Sequence, residues 1–471
     1  MANNTFIAID LGAESGRVMR ATVGETLHLE EAHRFGNGPV LAGNTLYWDI
    51  LGLWREITNG LRQCAAHGAV ASIGVDTWGV DFALVGKQGQ LVGSPVHYRD
   101  ARTEGMQEKF FAILPRETVY GITGLQTLNL NTLFQLFALR QTQPELLAAA
   151  HKVLFVPDLI NYYLCGRMAN EYTIASTSQM FDARRRDWSP EILKALGVPR
   201  ELFPETIAPG RPDSVLGVTR ETLAMPGIPV TAIGSHDTAS AVAAVPAQGD
   251  DWLFLSSGTW SLLGVEVPQP VLTAVAQRYN LTNEGGVGGR IRLLRNIAGL
   301  WLLQECFREW TSRGADITYA QLADEARAAR PNVAQLDPDD GEFYAPGHMT
   351  EKIIGYCRRT RQAAPQTRGE FSRVILESLA AAYARVKRML EEATGRKFSR
   401  LHIVGGGSRN TLLNQLAADA TGLTVLAGPV EATAMGNIMT QALAVGLVKN
   451  LDEARRIVAR SVEVKEYTPC G

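Results

Sequence analysis

The sequence predicts an α/β protein built from two related domains. Strand-like apolar runs alternate with helical stretches along the chain of 471 residues, a pattern typical of α/β architecture. A polar break containing proline and glycine lies at residues 246–250. The N-terminal stretch and the stretch after the break both begin with a strand, a turn of small residues and a returning strand. We therefore predict one domain at residues 1–244 and a second at residues 245–471.

Each predicted element rests on a local pattern. Short apolar runs predict strands at residues 6–9, 17–23, 71–75, 228–233 and 401–404. After the break, strands are predicted at 252–255 and 260–265. Apolar residues recur at helical spacing from Val374 to Ala393, and Gly395 stands where a helix often ends. Two further helices are predicted, one from Thr411 to Ala420 and one that begins near Thr238.

Composition excludes several classes of protein. The 46 Lys and Arg nearly balance the 48 Asp and Glu, so no overall attraction to nucleic acid or anionic lipid is expected. The five cysteines are far apart, which argues against a zinc ribbon or a disulfide scaffold and favours a reducing cytoplasm. Polar residues interrupt the longest charge-free window, 118–139, so no membrane span is predicted. We expect a cytoplasmic monomer or weak homodimer with no nucleic-acid or membrane partner.

Three turns of small residues are candidate phosphate or nucleotide sites. In the first, residues 10–17, Asp10 follows a buried strand and could hold Mg²⁺, most often through water, while Arg17 offers a forked cation. Its small residues let backbone N–H groups approach phosphate oxygens. The second turn is residues 256–259, and the third, Gly405–Gly407, leaves room for a flat ligand such as adenine. An ordinary turn or flexible loop is the alternative for each. The chain has neither a Walker A motif nor the Gly-x-Gly-x-x-Gly dinucleotide motif.

Two further segments carry possible chemistry. Asp237 follows a strand and stands beside His236, the position where an α/β site places a catalytic base. An aspartate is a weak base, so its value lies in being ionised and placed against a hydroxyl. The alternative is that Asp237 caps the helix beginning near Thr238. Residues 76–82 present polar groups beside an aromatic face, as a sugar pocket would need, or form a half-buried strand.

Together, in this order, these segments resemble the FGGY family of carbohydrate kinases. The resemblance covers nearly the whole chain and is most specific at residues 10–17, 76–82, 235–240, 255–261, 282–286 and 296–304. It implies an actin-like ATPase fold, in which two ribonuclease-H-like domains hold ATP and sugar in an interdomain cleft. The activity implied is transfer of the γ-phosphoryl group of ATP to the 1-hydroxyl of L-rhamnulose, with Mg²⁺, giving L-rhamnulose 1-phosphate and ADP.

The resemblance also implies a role for particular residues. Asp237 would accept the hydroxyl proton, and Asp10 would hold Mg²⁺, mainly through water. The residues that would bind the sugar are Gly79, His236, Asp237, Thr238 and Asn296. The residues that would contact ATP are Ala13, Glu14, Ser15, Gly16, Arg17, Thr259, Gln304 and Gly406. We expect the acidic side chain of Glu14 to point away from the phosphates.

Two alternative functions stay open at this point. The substrate could be L-fuculose or another ketose, since family members that act on L-fuculose share a similar Gly-Val-Asp segment. Xylulose kinases usually carry Gln-Met-His-Gly where this chain has Thr77–Val80, and segments 235–240 and 282–286 favour L-rhamnulose. The other alternative is a non-catalytic, actin-like ATP-binding sensor. Such a protein would have no use for a base at Asp237 or a polar pocket near Trp78.

Overall fold

The computed structural model describes residues 4–470, and its elements follow the predicted α/β alternation. The strands are β1 (Thr5–Leu11), β2 (Ser15–Val23), β3 (Leu27–Gly36), β4 (Pro39–Ala42), β5 (Thr45–Trp48), β6 (Ser72–Thr77), β7 (Phe82–Val85), β8 (Lys152–Phe155), β9 (Asn170–Glu171), β10 (Phe181–Asp182), β11 (Asp187–Trp188), β12 (Thr206–Ile207), β13 (Val215–Val218), β14 (Pro229–Thr231), β15 (Trp252–Ser257), β16 (Ser261–Val267), β17 (Thr282–Gly285), β18 (Ile291–Ile297), β19 (Arg400–Val404), β20 (Thr424–Ala427) and β21 (Lys465–Tyr467).

The α-helices are α1 (Ile50–Ala65), α2 (Met106–Phe111), α3 (Arg116–Thr123), α4 (Thr132–Thr142), α5 (Pro144–Ala149), α6 (Val156–Cys165), α7 (Tyr172–Ala175), α8 (Pro190–Leu196), α9 (Asp237–Ala243), α10 (Ala274–Arg278), α11 (Trp301–Ser312), α12 (Tyr319–Ala328), α13 (Met349–Arg359), α14 (Arg368–Thr394), α15 (Thr411–Thr421), α16 (Ala432–Ala444) and α17 (Leu451–Ser461). Short 3-10 turns lie at Ala101–Thr103, Ser176–Ser178, Arg200–Leu202, Pro212–Ser214, Val287–Gly289, Gly341–Phe343 and Gly406–Arg409.

The predicted elements are present, with differences at their ends. The helix predicted from 374 to 393 is the inner part of the longer α14, and Gly395 ends it in the left-handed region with φ of 67°. The strand predicted at 228–233 is shorter, since β14 spans Pro229–Thr231. The helix predicted to begin near Thr238 begins one residue earlier, at Asp237. Among residues 4–470, no helix combines the length and the apolar character that crossing a bilayer requires.

The chain forms two compact units, each assembled from separate segments. Unit 1 contains the chain up to Gln248 together with Glu266–Leu293 and Ala432–Val462. Unit 2 contains Gly249–Val265, Leu294–Glu431 and the chain from Glu463 onward. The chain therefore leaves unit 1 and returns to it twice.

The sheet of unit 1 has the strand order β13-β14-β6-β1-β2-β3. Strand β1 pairs antiparallel with β2 and parallel with β6, and β6 pairs parallel with β14. All residues of β1 and β6 are buried, as expected for parallel strands covered on both faces. Helix α16 packs on β1 and β6, and Gln441 donates from Nε2 to the carbonyl oxygen of Ile7 at 2.9 Å. The carboxyl ends of β1, β6 and β14 thus share one edge of the sheet.

The second large sheet, most of which lies in unit 2, has the strand order β17-β18-β16-β15-β19-β20-β21. Strand β15 pairs antiparallel with β16 and parallel with β19, and β19 pairs parallel with β20. Helix α14 packs beside α12 and α15, and its buried face includes Ile375, Leu379 and Val386. The carboxyl ends of β15 and β19 therefore lie side by side.

Candidate active site

The carboxyl ends of β1 and β6 bring two aspartates together in unit 1. Asp10 and Asp76 are register partners and are 4% and 0% exposed. Arg17 donates from Nη2 to Oδ2 of Asp10 at 2.6 Å, and Asn437 donates from Nδ2 to Oδ2 of Asp76 at 2.6 Å. Burial, together with the neighbouring Asp10 carboxylate, raises the pKa of Asp76 well above its usual range. This edge of the sheet therefore favours a bound proton or cation.

The turn between β1 and β2, together with the first residues of β2, contains the five consecutive residues predicted to contact ATP in unit 1. The N–H of Gly12 donates to the carbonyl oxygen of Ser15 at 2.9 Å, which closes the turn. At Gly16 an added Cβ would lie 2.2 Å from the ring of Phe35, so only glycine fits there. Glu14 is exposed, and its orientation relative to the phosphates stays a prediction.

The segment before α9 lies at the same edge as Asp10 and Asp76. The N–H of Thr77 donates to the carbonyl oxygen of Ser235 at 2.9 Å, and Trp78 donates to the carbonyl oxygen of Leu11 at 3.2 Å. Helix α9 begins at Asp237, and His236 occupies its N-cap position. Asp237 is therefore the first residue of this helix and not its N-cap, although its side chain accepts from the N–H of Thr238 in the first turn.

The two carboxylate oxygens of Asp237 have different surroundings. Oδ1 accepts hydrogen bonds from the backbone N and from Oγ1 of Thr238, at 2.5 and 3.1 Å, and lies 3.5 Å from Nε2 of His236. Within residues 4–470, Oδ2 receives no hydrogen bond from the protein. The side chain is 31% exposed. One oxygen is thus held in place while the other is available to accept a proton.

Two buried residues that the sequence did not point to hold the backbone of this segment. Oε2 of Glu171 accepts from the N–H of Ser235 at 3.2 Å, and Oγ1 of Thr173 accepts from the N–H of His236 at 3.1 Å. Burial raises the pKa of Glu171 to about 7. These contacts fix the backbone immediately before Asp237.

The segment at 76–82 is built around a buried carboxylate. Asp81 accepts hydrogen bonds from Nε1 of Trp48 at 2.6 Å, from Nε1 of Trp78 at 3.0 Å and from Nε2 of Gln135 at 2.9 Å. The two indole rings lie 3.9 Å apart between centroids. Burial raises the pKa of Asp81 to about 6. The aromatic face predicted for a sugar pocket is therefore held by hydrogen bonds to one side chain.

Gly79 and Val80 bring this segment against the ring of His236. A Cβ at Gly79 would lie 3.3 Å from Nε2 of His236, so even a methyl group would crowd the ring. Val80 has φ of 69°, a left-handed conformation that is unusual for a β-branched residue. Strain of this kind is typical of functional sites. Gly79 and His236, both predicted to bind sugar, are thus neighbours.

Unit 2 holds the remaining predicted ATP contacts at two turns. The carbonyl oxygen of Thr259 accepts from the N–H of Trp301 at 3.1 Å, so this turn meets the start of α11. Gln304 lies in the first turn of α11, and its buried Oε1 has no hydrogen-bond partner within residues 4–470. Asn296, the predicted sugar ligand of this unit, is half-buried near the end of β18. Gln304 therefore retains a hydrogen-bonding atom for a ligand.

The glycine loop after β19 packs against the end of β15. An added Cβ at Gly407 would lie 2.0 Å from Oγ of Ser257, and Gly405 has φ of 85°. Gly406, by contrast, is exposed, and an added Cβ there would meet no atom within 4 Å. Two of the three glycines are thus required by packing, and the third borders open space.

The predicted residues are therefore divided between the two units. Unit 1 holds Asp10, Ala13, Glu14, Ser15, Gly16, Arg17, Gly79, His236, Asp237 and Thr238. Unit 2 holds Thr259, Asn296, Gln304 and Gly406. The sequence placed Asp76 only within the candidate sugar segment 76–82, and gave no role to Glu171 or to Asn437, which contacts Asp76. In the sequence, each of these residues is a charged or amide side chain within an apolar element. Such a side chain indicates a functional role only once the structure shows that it is buried.

The comparisons with known proteins agree on one family. Residues 5–244 match the model described as "FGGY family of carbohydrate kinases, N-terminal domain", and residues 253–445 match the corresponding C-terminal domain. A rhamnulokinase of Bacteroides thetaiotaomicron is 47% identical, over 98% of this chain and 96% of that protein. A rhamnulokinase of Pectobacterium atrosepticum is 43% identical, over 100% of this chain and 94% of that protein. The crystal structure of a gluconate kinase from Lactobacillus acidophilus is 15% identical, with a TM-score of 0.80 over 99% of this chain and 94% of that chain. This likeness confirms the predicted fold.

Proposed function

The chain belongs to the FGGY family of carbohydrate kinases, and we propose that it transfers the γ-phosphoryl group of ATP to the 1-hydroxyl of L-rhamnulose. The products are L-rhamnulose 1-phosphate and ADP, in the catabolism of L-rhamnose. Relatives named rhamnulokinase, 43% and 47% identical over nearly the full length, support this substrate. The observation that carries the proposal is the carboxylate of Asp237, half-exposed at the edge of the sheet with Oδ2 free of protein hydrogen bonds within residues 4–470.

Asp237 is the proposed proton acceptor. As the sugar hydroxyl oxygen bonds to the γ-phosphorus, the bond from that phosphorus to the bridging oxygen of ADP breaks, and the hydroxyl proton moves to Oδ2. Thr238 and His236 hold Oδ1, so the free oxygen keeps one direction. Because phosphoryl transfer needs little covalent help, alignment and charge neutralisation supply most of the acceleration.

The sugar is proposed to lie against the ring of His236. Gly79 leaves the space beside Nε2 open, and Thr238 and Asn296 offer further polar groups. A ketose presents several hydroxyls and an apolar carbon face, which suits an indole such as Trp78 held rigidly by Asp81. These roles rest on position and chemistry, and mutagenesis tests them.

ATP is proposed to contact both groups of residues. The turn from Ala13 to Arg17 offers backbone N–H groups to the phosphates. Thr259 offers a hydroxyl, and Gln304 an amide oxygen without a protein partner in the part of the chain described. The open space at Gly406 suits the flat adenine ring. On this basis we assign sugar and phosphate binding to residues 1–244 and nucleotide binding to residues 245–471.

The residues at the edge of unit 1 fit a magnesium ion. Oδ1 of the buried Asp76 has no hydrogen-bond partner within residues 4–470, and the carboxylate of Asp10 is its neighbour. No group of three or more His, Cys, Asp or Glu side chains in this part of the chain could hold a metal ion alone. That suits Mg²⁺, which keeps several waters and takes few carboxylates. We propose that Asp10 holds it through water, and that the ion neutralises charge on the phosphates.

The setting proposed for the enzyme is the cytoplasm, as a monomer or weak homodimer. Its cysteines, Cys64, Cys165, Cys306, Cys357 and Cys470, are free thiols, which suits a reducing compartment. Small-molecule sugar and ATP are its proposed partners.

A panel of ketoses in a coupled ADP-release assay tests the proposed function. We expect the highest kcat/KM with L-rhamnulose. The mass of the product and the position of its phosphate should identify it as L-rhamnulose 1-phosphate. A higher kcat/KM with L-fuculose or another ketose would identify that ketose, and not L-rhamnulose, as the substrate. ATP hydrolysis that is independent of sugar and gives no phosphorylated product would instead indicate an ATP-binding sensor.

A further inference from the structure

A buried ion pair lies directly behind His236 in unit 1. Glu284 belongs to β17 and Arg292 to β18, and they are 4% and 0% exposed, while His236 is 7% exposed. A fully buried guanidinium is uncommon because removing its charge from water is costly. Burial lowers the pKa of Arg292, yet an arginine remains protonated. The placement of such a costly group behind a proposed sugar ligand calls for a functional reason.

The guanidinium is held so that it faces the imidazole ring. Nε of Arg292 donates to the carbonyl oxygen of Gly285 at 2.9 Å, which fixes its orientation. Nη2 of Arg292 lies at hydrogen-bond distance, 3.1 Å, from Nδ1 of His236. Oε2 of Glu284 lies 3.1 Å from Nη2 and 3.2 Å from Nδ1, close enough to neutralise the positive charge. The ring nitrogen thus meets a cationic donor supported by a carboxylate.

This contact assigns the tautomer of His236. A guanidinium has only donors, so Nδ1 is the acceptor in its contact with Arg292. The competing tautomer would donate from Nδ1 to Oε2 of Glu284, which lies 3.2 Å away. A neutral imidazole that accepts at Nδ1 carries its proton on Nε2. Nε2 lies 3.5 Å from Oδ1 of Asp237 and faces the space beside Gly79. The ring therefore presents an N–H to the proposed base and to the proposed sugar site.

We propose that Arg292, neutralised by Glu284, is a positioning residue that holds His236 as the Nε2–H tautomer. This inference rests on the proposed function, because it concerns the same sugar and the same base. With this tautomer, Nε2–H attracts Oδ1 of Asp237 and leaves Oδ2 to accept the sugar proton. Without Arg292, Glu284 would draw the ring proton to Nδ1, and a lone pair at Nε2 would face a carboxylate and repel it.

A purely structural role is the competing explanation, in which the pair only neutralises charge in the core. The charged groups that face His236 are Asp237 beside it, Glu284 on β17 and Arg292 on β18, with Glu171 bound to the preceding backbone. The variant Arg292→Met, which keeps Glu284, and the double variant Arg292→Met, Glu284→Met together separate the explanations. The double variant removes both charges and replaces them with apolar side chains, which proteins often tolerate.

A matched control removes another buried pair of unit 1. Arg455 and Glu266 lie 2.7 Å apart, with both side chains 9% exposed. The double variant Arg455→Met, Glu266→Met should lower Tm to a similar extent while the kinetics of sugar phosphorylation stay unchanged. It thus shows what a loss of stability alone does to activity.

Long-range ¹H–¹⁵N NMR of the histidine rings measures the tautomer directly in the wild-type protein. Replacement of His236 by Asn identifies its signals. We expect the neutral Nε2–H form at pH 7.5. An Nδ1–H form, or a fully protonated ring, overturns the proposal without the need for any charge variant, so the test survives if a variant fails to fold.

Kinetics provide the second measurement. In Arg292→Met, where Glu284 remains to draw the ring proton to Nδ1, kcat/KM for L-rhamnulose should fall by about 10- to 100-fold, as expected when a reacting group is misplaced. The pH profile of kcat/KM should shift in this variant, and KM for ATP should stay at the wild-type value. The double variant, which lacks Glu284, should recover most of the lost kcat/KM. An Arg292→Met variant with the wild-type kcat/KM and pH profile, or a double variant as impaired as Arg292→Met, overturns the proposal. If the wild type phosphorylates no ketose, the proposed function fails, and the NMR result still decides the tautomer.

Discussion

The two sheets of the molecule share one topology and differ in chemistry. In unit 1, β1 pairs antiparallel with β2 and parallel with β6, and β14 follows β6. In unit 2, β15, β16, β19 and β20 take the corresponding places, and antiparallel β21 matches β13. The strand order β13-β14-β6-β1-β2-β3 therefore corresponds position by position to six of the seven strands of the second sheet, β21-β20-β19-β15-β16-β18. This repeat supports the interpretation of the two similar hairpins as parts of related domains.

The corresponding strand ends of the two units differ in charge. In unit 1, Asp10 lies two residues before the first glycine of the turn. It is the register partner of Arg17 on β2 and of Asp76 on β6. The corresponding residue of unit 2 is Ser256, which is the register partner of Leu262 on β16 and of Val404 on β19. The comparison teaches that one scaffold carries two chemistries. Carboxylates in unit 1 suit proton and metal chemistry, whereas small uncharged residues in unit 2 suit close approach of a nucleotide.

The largest effect is expected where a carboxylate of unit 1 is made neutral. Asp237→Asn and Asp237→Ala should lose at least ~10²-fold in turnover, since a positioned base contributes about 10²–10⁴-fold. ATP binding should be retained. The measurements are kcat in the ADP-release assay and the Kd for ATP by calorimetry.

Asp49→Asn is the control for this change, because Asp49 caps α1 in the same unit and asparagine caps a helix equally well. It should keep wild-type turnover. Near-normal turnover in Asp237→Asn would remove Asp237 from its role as the base and weaken the contrast between the two units.

A second effect concerns stability, because several buried carboxylates of unit 1 lack a paired cation. Burial raises the pKa of Asp81 to about 6 from an ordinary 3.8. The folded state therefore holds this proton more tightly, so its stabilisation is present at pH 3 and is lost as the pH rises through about 6. Relative to Asp81→Asn, the wild-type free energy of unfolding should fall by about 3 kcal/mol from pH 3 to pH 7. Urea unfolding at each pH measures it.

The control is Asp316→Asn, which changes an exposed carboxylate in unit 2. It should leave the pH dependence of the unfolding free energy as in the wild type. If Asp81→Asn also left that dependence unchanged, the hydrogen bonds to the carboxylate would fully offset the effect of its burial, and its pKa would be the same in the folded and unfolded states.

Local patterns made most of the fold predictable from the sequence. The apolar runs at β1, β6 and β19 and the helical spacing of α14 depend on residues that are near one another in the chain. Local pattern singled out Asp237 but left a helix cap as the alternative, since it lies beyond the end of β14 and not directly after it, and the family resemblance supplied its predicted role as a base. The exact start of α9 could not be predicted, because His236 takes the N-cap position without a side-chain hydrogen bond.

The supporting residues of the site were not predictable, because their roles depend on distant segments. Glu171 meets Ser235 across 64 positions, and Arg292 meets His236 across 56 positions. Asn437 meets Asp76 across 361 positions. A buried charge or amide has no local signature that distinguishes it from a solvated one. Only the fold shows which of these side chains are withdrawn from water and which partner each contacts.

A third effect tests whether the aspartate at the end of β1 differs in role from the serine at the end of β15. Asp10→Asn should lower turnover by about 10-fold and raise the Mg²⁺ concentration needed for half-maximal activity, since an amide binds Mg²⁺ more weakly than a carboxylate. Ser256→Ala should cost less and leave the Mg²⁺ requirement unchanged. Magnesium titrations of turnover measure both. An unchanged Mg²⁺ requirement in Asp10→Asn would separate Asp10 from the metal.

The smallest effect is expected at the glycine loop of unit 2, where the nucleotide is proposed to approach the backbone. Gly406→Ala adds a methyl group to open space, so the fold should keep its Tm. The same methyl would intrude on adenine and should raise KM for ATP by about 3- to 10-fold, the equivalent of roughly 1 kcal/mol. KM for the sugar should not change. Gly355→Ala, on α13 and equally open, should leave both KM values unchanged. A rise in KM for the sugar instead of ATP would assign this loop of unit 2 to sugar binding.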